Sequence, residues 1–337
     1  MMIKGLFDWQ THFLQLDKNG EPLAKLNALL NWEQFRQKLN VLRDFDRKSN
    51  AGRKPFDVVM MFKVLIVQSL YNLSDDQTEF QIRDRLSFMR FLGLTISDTV
   101  PDSKTIWLFR EQLKEAKLVK ELFDQFDNFL RLNGFTAQKG QIVDASIIAA
   151  PKQRNSRDEN KQIKEGQIPD DWNENKKRQK DIDARWTQKA GQNHYGYKNH
   201  IDIDVKHKLI RDYEVTPASV HDSQVFEGLL DEDNSSRDVF ADSAYSKAEK
   251  RQALAMQGFR NHIQRKGCRY KKLTKNQRRI NHLRAKIRCR VEHIFGVQAK
   301  RAGSLLLRTI GLVRAKCKIG LRNLAYNIDR YCLLSVV

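Results

Sequence analysis

The chain has 337 residues, and its 61 Lys and Arg outnumber 41 Asp and Glu for a formal net charge of +20. Its 40% of hydrophobic residues is enough for a packed core, which excludes wholesale disorder, and the length allows one large domain or two smaller ones. The surplus charge sits in one place: residues 250–320 hold 21 bases and a single acid, Glu292, while bases and acids balance elsewhere. Such a stripe suits a polyanion, either nucleic acid or an anionic membrane surface, because each neutralised phosphate releases counterions; a solvated basic face has the same composition.

Residues 1–135 read as helical. The N-terminus has no apolar run followed by a cleavage site, and the longest apolar stretch, Asp57 to Asn72, is interrupted by Lys63, Gln68 and Ser69. It is too short and polar to span a bilayer, so a buried helix in a cytoplasmic protein without membrane contact is expected. Ser74 followed by Gln77 is a capping box opening a second helix that runs through Phe80, Ile82, Leu86, Phe88 and Phe91 to Gly93. A third begins after Pro101-Asp102-Ser103, with Ile106, Phe109, Leu113, Val119, Leu122, Phe126 and Phe129 recurring at intervals of three, four or six until Asn133-Gly134.

After Gly134 the texture changes to short apolar runs, and 141–149, 200–205, 209–215 and 239–241 read as strands. Between the first two, 152–193 is so polar that an extended, mobile loop is expected, with Trp172 and Trp186 needing somewhere to dock. Helices return at 246–257 and 274–300. The expected class is therefore α/β: an all-α N-terminal domain over 1–135, then a mixed sheet with flanking helices over 136–337. Cys268, Cys289, Cys317 and Cys332 stand 21, 28 and 15 residues apart, which indicates neither a zinc site nor a disulfide framework. Walker, dinucleotide, zinc-protease and serine-hydrolase motifs are absent from the sequence.

Three carboxylates stand out. Asp144 in QIVDAS and Asp242 in VFADSAY each follow two apolar residues at a strand, where aspartate is depleted and a buried carboxylate is costly unless paired or metal-bound. The plain alternative is a turn or cap residue ending its strand. Glu292 lies about 120–130° from the centre of the apolar stripe Ile280, Leu283, Ile287, Val291, Ile294 and Phe295, one turn after Arg288. A simple Arg288–Glu292 pair explains it, but a lone acid among phosphate-seeking bases repels their ligand. A divalent cation held by two Asp and one Glu removes that conflict, and three such carboxylates make a two-metal phosphoryl-transfer site.

The spacing from Asp144 to Asp242 to Glu292, and the wording around each, resembles the DDE transposases of bacterial insertion sequences, most closely the insertion sequence 5 group. The resemblance is carried in order by GRKPFDVVMMFKVLIVQSLYNLSDDQTEFQIRDRLSFMRFLGL at 52–94, VPDSKTIWLFRE at 100–111, IVDASIIAAP at 142–151 and HYGYKNHIDID at 194–204, then by VTPASVHDS at 215–223, FADSAYSK at 240–247 and RVEHIFG at 290–296. It implies an RNase H-like catalytic domain with Asp144, Asp242 and Glu292 as catalytic and metal-holding residues, and two Mg²⁺ ions with Mn²⁺ as substitute. It implies as partners terminal inverted repeats and target DNA, a homodimer or higher multimer on DNA, and a nucleoid-associated place in a bacterial cytoplasm. The helical domain would bind DNA ends, dimerise, or both. Arg288 matches the Arg that relatives carry four residues before the Glu; Ala285 stands where some carry Tyr, and at the downstream basic position Ala299 is followed by Lys300 and Arg301. Lys198, Arg284, Arg288, Arg290, Lys300 and Arg301 are the candidate DNA contacts. His194, His200, His221 and Asp222 fall in matching blocks without a derivable role, a neutral His ordering strand or loop being the plain reading of each. An RNase H-like nuclease and an inactive DNA-binding protein are the alternative functions.

Overall fold

The computed structural model describes residues 8–43, 54–189, 191–270, 272–302 and 306–335. The chain forms two compact units, Met1–Leu122 with Leu324–Val337, and Phe123–Asn323. In the first, α1 (Asp8–Lys18), α2 (Pro22–Leu29) and α3 (Arg36–Asn40) precede α4 (Val58–Tyr71), which is buried on nearly every side. Asp57 caps α4 by accepting from the backbone of Val59 and Met60, both at 3.0 Å, and Asn72 ends it in the left-handed region.

The next two expected helices are each broken in two. The Ser74–Gln77 capping box is present, but Arg85 is extended and separates α5 (Asp75–Asp84) from α6 (Leu86–Leu92). Likewise α7 (Ser103–Glu115) ends at Ala116, Lys117 has a φ of +54°, and α8 (Leu118–Leu132) starts afresh. The physical reason is the same. Ile82 and Phe88, and Leu113 and Val119, are all buried yet six positions apart, which on one straight helix would set each pair about 120° apart. A break turns the second segment so that both faces reach the core, and the interval of six is its trace in the sequence.

The second unit is built on six strands among the described residues: β1 (Gln141–Ala149), β2 (Arg185–Lys189), β3 (Gln192–Asp204), β4 (Ile210–Pro217), β5 (Asp238–Phe240) and β6 (Arg260–Asn261). Their order is β2-β3-β1-β5-β6, with β4 pairing β3; the pairs among β1 to β4 are antiparallel, and β5 runs parallel to both β1 and β6. Gly196 of β3 lies opposite Ala149, where a Cβ would meet the backbone of Ile148 and Ala150.

Residues 152–193, expected to be extended, instead carry α9 (Arg157–Lys164), α10 (Glu174–Gln179) and β2. Their low apolar content misled because polar bonds hold them. Ser156 and Glu159 form a capping box, and Glu159 also accepts from Trp172 Nε1 and Lys176 Nζ, both at 2.7 Å. Lys176 first, then Trp172, lower the Glu159 carboxyl to about 2. Trp172 is buried beneath Lys176 and Lys180, while Trp186 on β2 is half-exposed beside Tyr195.

Helices α11 (Ala248–Met256) and α12 (Lys275–Ala302) stand where the sequence puts them, although Leu283 of the expected apolar stripe is exposed. A last helix, α13 (Leu312–Ser335), follows in a stretch to which the sequence assigns no element. Buried amides tie α12 and α13 to the sheet: Asn199 and Asn323 exchange hydrogen bonds of 2.9 and 3.1 Å, and Gln298 donates to Asn323 at 3.1 Å.

Candidate active site

In the parallel pair, Gln141 faces Val239 and Ile142 faces Phe240. Two residues further along each chain come Asp144 and Asp242, so continuing the register sets the carboxylates side by side on one face of the sheet. Their charges act on each other: burial pushes the Asp144 carboxyl above its ordinary range, Arg288 pulls it back, and Asp242 raises it. Asp144 Oδ1 accepts from its neighbour Ala145 N at 2.8 Å, and Oδ2 accepts from Arg288 Nη1 at 2.6 Å. Asp242 Oδ1 accepts from Ala244 N at 2.7 Å and caps the 3-10 turn Ser243–Tyr245. The cap expected of a strand-end aspartate is therefore real, and it uses one carboxylate oxygen.

Glu292 projects from α12 with a side chain 61% exposed, and Arg288 Nη2 donates to its Oε1 at 3.1 Å. The pair within α12 is thus present, but the same guanidinium reaches across to β1. Arg288 brings Asp144 and Glu292 to one cation, with Asp242 beside Asp144. Among the described residues no group of three His, Cys, Asp or Glu side chains is arranged to hold a metal ion. The donor set nonetheless suits one. Asp144 and Asp242 would supply hard oxygen ligands whose mutual repulsion a cation relieves, with Glu292 on the far side of Arg288 as a third candidate oxygen donor.

Four of the six candidate DNA contacts are committed within the chain. Besides Arg288, Lys198 Nζ donates to Asp222 Oδ1 and Val220 O, both at 2.8 Å. Arg284 Nη1 reaches Ile263 O and Arg290 Nη1 reaches Val205 O, each at 2.6 Å, satisfying carbonyls at strand ends. Lys300 is exposed, and the Arg301 side chain lies outside the described residues. Burial pushes the His200 imidazole down to about 4, leaving it neutral in β3 with Nε2 2.9 Å from Thr216 Oγ1. His221 Nδ1 accepts from Ser223 N and caps the 3-10 turn Asp222–Gln224. His194 lies opposite Thr187 in the β2–β3 pair. Tyr245, three residues after this strand-end aspartate, is buried in the turn that Asp242 caps.

The Transposase DDE domain family matches residues 136–328, more than half of the chain. The chain belongs to the DDE transposase family. A second family, described as a Transposase domain (DUF772), matches residues 11–112 of the transposase. After the helical N-terminal region, the mixed sheet with flanking helices is the RNase H-like arrangement expected of the family, whose members use divalent metal ions. Among solved structures, the chain is similar to a piggyBac transposase in a synaptic complex with hairpin DNA, with 10% identity and a TM-score of 0.49 over 94% of this chain and 75% of that one. No single helix among the described residues is long and apolar enough to cross a membrane.

Proposed function

We propose that this transposase, as a member of the insertion sequence 5 group, binds the terminal inverted repeats of its own element as a dimer or higher multimer. It then cleaves the DNA and joins the freed 3′ ends to target DNA in the bacterial cytoplasm. The observation that carries the reading is the register that sets Asp144 beside Asp242, with Arg288 drawing Glu292 of α12 toward them. Asp144, Asp242 and Glu292 hold two Mg²⁺ ions, or Mn²⁺ in their place. Bound there, the ions neutralise phosphoryl oxygens and make the attacking water or 3′-hydroxyl a stronger nucleophile. Arg288 balances the carboxylates before the site is loaded and then becomes available to DNA phosphate. Lys300 and Arg301 extend that contact along α12, and the helical domain of residues 1–135 contributes base contacts, dimer contacts, or both.

The test uses Asp144→Asn, Asp242→Asn and Glu292→Gln with DNA carrying the element ends. Each is expected to lower nicking and joining in Mg²⁺ by about 100-fold or more while leaving end binding and melting temperature close to wild type. Undiminished cleavage by any of the three removes that residue from the site. Pre-nicked ends separate the transposase from a plain nuclease, which would give no joined product.

A further inference from the structure

The side of α12 that carries Glu292 is fastened to the sheet by polar bonds more than by apolar packing. Asn281, Arg284, Arg288 and Glu292 recur at intervals of three or four and share a sector about 80° wide. Among the described residues of α12, Val291 and Ile294 are the buried apolar side chains. Asn281 Oδ1 accepts from Arg265 N and its Nδ2 donates to Arg265 O, both at 2.9 Å, while Gln264 Nε2 donates to Asn281 O at 3.3 Å. One turn on, Arg284 Nη1 donates to Ile263 O at 2.6 Å and Nη2 to Asn261 O at 3.4 Å. The segment 261–265 that takes these bonds runs alongside β5. There His262 N donates to Val239 O at 2.9 Å, and Gln264 N donates at 3.1 Å to the carbonyl of Ala241, the residue before Asp242.

A continuous line of bonds therefore joins the strand that ends in Asp242 to the first turns of α12. Glu292 stands two turns beyond Arg284 on the same side of the helix, about 12 Å along its axis. Arg284 is a costly residue for packing alone. It is partly buried, its Nε has no hydrogen-bond partner among the described residues, and the groups it holds are neutral carbonyls. Burial, then the charges of Arg265 and Arg251, draw its guanidinium below the ordinary value.

We infer that Arg284, together with Asn281, is a positioning residue for Glu292: by pinning α12 to the segment 261–265 it fixes the rotation and level at which that carboxylate meets Asp144 and Asp242. Arg288, between the two on the same stripe, reaches Asp144 Oδ2 at 2.6 Å from the helix so placed. Groups that do not touch the metal but orient its ligands set affinity in this way.

The inference rests on the assignment of Glu292 as a metal ligand, and the experiment separates the two. Mn²⁺ binding to the full chain is followed by electron paramagnetic resonance for wild type, Arg284→Met, Asn281→Ala, Glu292→Gln and the double variant Arg284→Met/Glu292→Gln. Melting temperature and affinity for element-end DNA are measured alongside. Arg284→Met is expected to weaken Mn²⁺ binding about 10-fold, and Asn281→Ala to act in the same direction. The sign is informative, because removing a positive charge by its field alone tightens the binding of a cation. The double variant is expected to bind no more weakly than Glu292→Gln, since Arg284 acts through that carboxylate. Wild-type Mn²⁺ binding by Arg284→Met, or losses that add in full in the double variant, would overturn the positioning role. Weakened DNA binding by Arg284→Met with Mn²⁺ binding intact would overturn it in favour of a phosphate contact. Should Arg284→Met fail to fold, Asn281→Ala decides, wild-type Mn²⁺ binding again being the overturning result. If Glu292→Gln itself binds Mn²⁺ like wild type, the site assignment fails and the inference falls with it.

Discussion

Asp202 lies in β3 with no exposed surface, and among the described residues neither of its carboxyl oxygens has a hydrogen-bond partner. Burial pushes its carboxyl well above the ordinary range; the charges of Asp231, Asp212 and Asp204 push the same way and Arg211 opposes them. The folded chain therefore keeps this proton at a pH where the unfolded chain has released it. That contribution to stability is complete below about pH 3.9 and declines as pH rises toward the folded value. Asp202→Asn cannot ionise, so its melting temperature relative to wild type is expected to climb between pH 4 and pH 8. A difference that stays flat across this range would mean that Asp202 ionises freely in the fold. Residue identity alone gave little sign of this, since of the acids that load Asp202 only Asp204 is its neighbour in sequence, while Asp212 comes from β4 and Asp231 from the segment before β5. The same holds for Arg288, whose tie to Asp144 spans 144 positions.

At the scale of elements, the break between α7 and α8 makes a prediction whose sign tests it. Lys117 is exposed and holds a left-handed φ of +54°. A non-glycine residue pays about 1–2 kcal/mol for that conformation, so Lys117→Gly is expected to raise the melting temperature. Were 103–132 one continuous helix, the same substitution would cost about 1 kcal/mol. Thermal denaturation of the single variant decides between them. Periodicity identified the helices because amphipathic faces repeat locally, and the six-residue intervals already held the breaks. The folded state of 152–193 was less legible, since one buried Trp and a few shared carboxylates do there what an apolar stripe does elsewhere.

Over the whole molecule the excess charge takes a definite form on α12. Lys275, Arg279, Lys286 and Lys300 are all exposed and fall within a sector about 60° wide along that helix. If this stripe follows a DNA backbone, each contact adds about 0.9 to the slope of log affinity against log salt concentration. Replacing all four by Ala is expected to lower that slope by about 3 to 4, measured with element-end DNA between low and physiological salt. An unchanged slope would place the phosphate contacts elsewhere. Arg284 and Arg290, on the same helix, serve strand-end carbonyls, so the charge count of the segment overstates what remains for a ligand.

By itself the sequence determined the family and the location of the surplus charge, and singled out three carboxylates as candidates, because ordered motifs and composition are properties of the chain as written. Tertiary structure decided what those residues face. It paired β1 with β5 in parallel just ahead of Asp144 and Asp242, and placed one guanidinium between Asp144 and Glu292. Register and burial arise from pairings between distant segments, and a carboxylate's charge, partners and proton depend on exactly those neighbours.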